Sequence, residues 1–76
     1  MRTPEQESAI EAASARCSAR VRALRQADLD AFLRRTQPGG DAAYAAARDA
    51  CDRGCKSAFD ELDAVMVANG GYDEGP

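Results

Sequence analysis

The stretch that decides the fold is Gln37-Pro38-Gly39-Gly40-Asp41, "QPGGD". A proline followed by two glycines ends a helix and permits positive φ in the turn that follows. Asp41 directly after it has the side chain of an N-cap for a second helix. On both sides of this punctuation the apolar residues recur with a helical period. The chain is therefore expected to be all-α: a helical hairpin with a helix at 4–36, a turn at 37–40, a helix at 41–69 and a short acidic tail at 70–76.

Working outward on the N-terminal side, "TPEQ" is a helix start. Thr3 can cap, Pro4 suits the first helical position, and Gln6 stands where a capping box needs it. Glu5 and Glu7 favour the positive end of the helix dipole. At 100° per residue Ile10, Cys17, Val21 and Leu24 form one narrow stripe, with Ala13 at its edge. Leu29, Phe32 and Leu33 lie roughly a quarter turn away from it. Either the helix runs on and drifts around its partner, or it breaks near "QADLD", where Asp28 would cap a second short helix.

On the C-terminal side the stripe is cleaner: Tyr44, Ala47, Cys51, Cys55, Ala58, Leu62 and Val65, with Phe59 and Met66 beside it. The helix closes at "NGG", where Asn69 or Gly70 can take the left-handed cap. Each helix of about 30 residues would be about 45 Å long. Large apolar side chains are few, and much of the 45% hydrophobic fraction is alanine, which favours helix and buries little area. So thin a core leads us to expect a homodimer, two hairpins forming a four-helix bundle. Ile10, Cys17, Val21, Leu24, Phe32, Tyr44, Cys51, Gly54, Cys55, Phe59, Leu62, Val65 and Met66 are the expected core or interface residues.

Cys51 and Cys55, four apart in "DACDRGCKSAFDEL", sit in the middle of the buried stripe. Gly54 beside them belongs to a lane of small residues with Ala43, Ala47, Ala50 and Ala58. Such a lane lets a neighbouring backbone approach, and a free cysteine there is a small hydrophobe. We read the cysteines as packing, with no metal or cofactor bound. The alternative is a thiol-based metal or redox sensor in which Cys17, Cys51 and Cys55 hold a soft ion. An antiparallel register about the turn sets Cys17 opposite residue 60, about 7 Å along the axis from Cys55. The spacing of Cys51 and Cys55 resembles half of the twin Cys-x3-Cys hairpins of small mitochondrial intermembrane-space chaperones. The corresponding segment here, "CSARV", has Val21 where that motif has its second cysteine.

Net charge is −3, unevenly spread. Residues 16–35 hold six arginines (Arg16, Arg20, Arg22, Arg25, Arg34, Arg35) against Asp28 and Asp30, whereas 41–69 hold six acids against Arg48, Arg53 and Lys56. The six arginines are the candidate partner-binding residues. A phosphate-binding stripe would align them, yet Arg16 and Arg20 lie on one flank and Arg22 and Arg25 on another, with little aromatic interleaving. A helical dimer that binds RNA or DNA is the second alternative. Its architecture is similar to that of short acidic hairpins that pair into RNA-binding four-helix bundles.

No catalytic constellation emerges. Asp60, Glu61 and Asp63 are carboxylates in series, but Asp49–Arg53, Asp52–Lys56 and Lys56–Asp60 read as i,i+4 pairs that solubilise a helix. The chain has no histidine, no apolar run long enough for a membrane span and no signal-peptide core. A cytoplasmic, non-catalytic protein that binds another protein as an inhibitor, adaptor or regulator is the resulting expectation. One lysine against nine arginines suggests a GC-rich bacterial or phage gene. In composition the chain resembles small inhibitors that phages and mobile elements direct at host machinery, anti-CRISPR proteins among them. That resemblance implies action in the host cytoplasm. There the arginine flanks would meet an acidic surface, or the acids of the second helix would imitate nucleic acid before a basic one.

Overall fold

A computed structural model describes residues 2–71. It contains two helices, α1 (Pro4–Leu33) and α2 (Gly40–Ala68), packed against each other as a hairpin 55 Å long. The acidic tail from Tyr72 onward lies outside the described residues. Neither helix is long and apolar enough to cross a membrane.

The start of α1 follows from the capping box. The Gln6 amide donates to Thr3 Oγ1 at 3.2 Å, and the Thr3 amide donates back to Gln6 Oε1 at 2.9 Å. Two amide groups that lack intrahelical partners are thereby satisfied. The helix then continues unbroken through "QADLD". Asp28 caps nothing there; it faces α2, with Oδ2 3.8 Å from Arg48 Nη1.

The turn is longer than the expected 37–40. Arg34 and Arg35 donate to the carbonyls three residues back, Ala31 and Phe32, at 3.2 and 3.3 Å. These i→i−3 bonds tighten the last turn and stop the α-helix at Leu33 rather than Thr36. Gln37 donates to Arg34 O at 3.0 Å and Gly40 to Gln37 O at 2.8 Å, carrying the chain round. Asp41 is not the N-cap. Gly39 takes that position at φ 76°, and Asp41 sits two residues after it in the first turn, where its charge favours the dipole. At the far end Gly70 adopts φ 106° and the Gly71 amide donates to Met66 O at 2.7 Å, the longer bond of a Schellman motif.

The seam between the helices is narrow and made of small groups. Cys17, Val21 and Ala58 form its buried centre, with Cys55 and Leu62 packed against them and Ala13 buried nearer the termini. Ala58 is only 1% exposed. Gly54 lets Leu24 lie directly on the α2 backbone: a β-carbon there would stand 2.5 Å from Leu24 Cδ1. Of the lane of small residues, Ala47, Gly54 and Ala58 face α1 and bring the helices close at the level of Leu24, whereas Ala43 and Ala50 are exposed. Larger apolar groups stay outside, with Leu29 50%, Leu33 68% and Phe59 54% exposed.

Candidate functional site

Three groups of side chains have chemistry to offer: the thiols at the seam, the aromatic and basic residues at the turn, and an open groove along one flank.

All three thiols are free. Cys17 is buried, and Cys55 from the facing helix packs against the cluster it forms with Val21 and Ala58. Cys51 and Cys55 are half-buried on successive turns of α2, with Sγ atoms 3.9 Å apart. Burial, then the Cys55 sulfur and the charges of Asp28 and Asp52, push the Cys51 thiol above its ordinary pKa. A raised pKa leaves the neutral thiol dominant at neutral pH, and it is the thiolate that attacks and coordinates. Among the described residues no three cysteine, aspartate or glutamate side chains come together in a way that could hold a metal ion. The sulfurs fill space at the seam beside Asp28, whose buried Oδ1 has no hydrogen-bond partner among the described residues.

The arginines separate into distinct settings. Arg20 crosses the seam to Glu61 at 2.8 Å, closing one flank of the hairpin. Arg16 is exposed. Arg22 and Arg25 line the opposite flank. At the turn, Arg35 lays its guanidinium 3.9 Å above the centre of the Phe32 ring and donates to Phe32 O at 3.2 Å. Phe32 is in turn held edge-on by Tyr44, with ring centres 5.6 Å apart and planes at 68°. Tyr44, and after it Asp28 and Asp52, also raise the pKa of Arg48. Leu33, the last residue of α1, is 68% exposed, and Arg34 caps the helix after it.

The carboxylates behave as helix-surface pairs. Arg53 meets Asp49 at 3.1 Å, and Lys56 meets Asp60 at 3.0 Å. Lys56 thus reaches toward the C-terminal acid of its two sequence neighbours. The remaining expected interface residues, Ile10, Val65 and Met66, are half-buried, and Val67 is 62% exposed.

Sequence reasoning did not assemble the groove. It has a volume of about 490 Å³ and lies between α1 and α2 on the flank opposite the Arg20–Glu61 pair. Val21, Leu29 and Phe59 give its apolar wall, Cys17 its base, and Arg22 and Arg25 its edge. The signal was present in the displacement of Leu29 from the main α1 stripe, but its joining with Phe59 requires the interhelical register.

Comparison with protein-family models, with curated proteins and with solved structures finds no match for this chain.

Proposed function

We propose that this chain is a non-catalytic binding protein, an inhibitor, adaptor or regulator that docks its turn onto an acidic surface of another protein. The observation that carries this reading is Arg35 stacked on Phe32 at an end of the hairpin that also exposes Leu33 to 68%. An isolated arginine must be ordered when it binds, at roughly 0.5–1.5 kcal/mol for a flexible side chain. Here the aromatic stack and the bond to Phe32 O hold the guanidinium in place beforehand. Arginine and aromatic residues are the side chains enriched at interface centres. Arg34 and Arg35 have no carboxylate partner among the described residues, so both charges are available to an acidic partner.

Affinity capture with the wild-type chain and with a Leu33→Asp/Arg35→Glu variant tests the reading. A protein retained by the wild type and by an Arg53→Gln control, but lost with the turn variant, is the expected result. Equal retention by all three chains, with helicity unchanged by circular dichroism, would sink it.

A further inference from the structure

We propose that the groove on the open flank is a self-association face and that a second copy of this chain occupies it. The interface uses Leu29, Phe59, Arg25 and Asp52, none of which belongs to the turn surface, so the two proposals can fail separately.

The hairpin by itself is underfilled. Among the described residues the buried apolar ones are Ala13, Cys17, Val21 and Ala58, and no large side chain is fully buried. Meanwhile Leu29 and Phe59, which wall the groove, are half exposed. A chain of this size rarely obtains enough stability from a single core, and pairing with another copy is one of the few remedies open to it. The whole flank, 55 by 16 Å between Cα extremes, projects roughly 880 Å², so a second copy must cover most of its length to reach the roughly 800 Å² per partner of a standard interface.

Charge selects a second copy over a foreign helix. The α1 edge of the groove carries Arg22 and Arg25, which have no ion-pair partner among the described residues. Asp52 is exposed on α2, seven residues before Phe59 and so on the same side of that helix. At the level of Arg25 the flank therefore offers a positive charge on α1 and a single negative one, Asp52, on α2, with Arg48 and Lys56 one turn to either side of it. A two-fold contact brings the same patch against itself, with each residue meeting its counterpart reciprocally. If the axis runs along the hairpin, α1 of one copy lies antiparallel over α2 of the other, with levels preserved. Leu24 lies at the level of Gly54 and Phe32 at that of Tyr44 within one hairpin. The same register sets Arg25 across from Asp52 of the second copy and slides the second Phe59 ring over Ser18 and Arg22.

Sedimentation equilibrium from low micromolar to millimolar concentration is the test. The expected species has twice the 8.1 kDa chain mass, and Leu29→Asp or Phe59→Asp reduces it to one. Because a monomeric hairpin of this kind could unfold, charge exchange gives the decisive measurement. Arg25→Asp alone and Asp52→Arg alone each create two like-charge contacts and are expected to weaken the dimer roughly tenfold. Mixing the two single variants restores both attractive contacts in a heterodimer, which is expected to bind as the wild type does. A wild-type monomer at every concentration would hand the groove to a foreign helix and overturn the proposal. So would a dimer indifferent to the single variants, or one that mixing fails to restore.

Discussion

A β-carbon on Gly40 would run into the carbonyl oxygens of Arg34 and Arg35, whereas one on Gly54 would meet the tip of the Leu24 side chain. Both glycines are crowded, but by different kinds of matter. At the turn the obstacle is backbone fixed by its own hydrogen bonds, including Gly40 N to Gln37 O at 2.8 Å. At mid-hairpin the obstacle is a leucine methyl that can change rotamer. Crowding therefore means a rigid constraint in one region and an adjustable contact in the other.

Gly40→Ala should break the turn and show the largest effect, a loss of roughly 2–4 kcal/mol, since the backbone must move to admit the methyl group. Chemical denaturation measures it, and a loss below about 1 kcal/mol would mean the turn is as adjustable as the seam. Cys51→Ser/Cys55→Ser comes next. It places two hydroxyls where half-buried sulfurs pack and should cost about 1–2 kcal/mol while leaving capture of the partner unchanged. Retained stability with lost capture would instead give the thiols a chemical role.

The same pair predicts an alkaline signature. The Cys51 pKa is raised in the folded state, so the unfolded chain loses that proton first as pH climbs. Stability is then fully present below the ordinary thiol value of about 8.5 and falls as pH rises toward the folded pKa. Cys51→Ser should remove that slope. Gly54→Ala should have the smallest effect, within about 1 kcal/mol of zero, because alanine's helix preference of about 1 kcal/mol offsets the shift required of Leu24. A loss well beyond that would show Leu24 to be locked in place.

Much of this contrast can be traced to particular residues in the sequence. Thr3, Pro4 and Gln6 announced the start of α1 because capping depends on side chains only a few positions apart. The seam of Cys17, Val21 and Ala58 was legible for the same reason: a stripe on each helix is a local pattern. The limits of the turn were not, because they depend on main-chain bonds. Arg34 and Arg35 tighten the end of α1 through their amides, and Gly39 displaces Asp41 as cap through its φ angle. The two glycines announced a positive φ, but which residue would use it to cap α2, and where α1 would stop, is decided by those main-chain bonds. The Arg35–Phe32–Tyr44 stack and the Leu29–Phe59 groove were hidden too, since each joins groups on α1 or the turn with groups on α2.

At the pole away from the turn, Arg2 donates through Nη2 to Gly71 O at 2.7 Å, tying the entry of the first helix to the exit of the second. The rod is thus anchored at one pole and presents its loop at the other, like a probe on a handle. Tethering at the Arg2–Gly71 pole would hold the loop about 55 Å out into solution, so immobilised chains should display their arginine tip without reorientation.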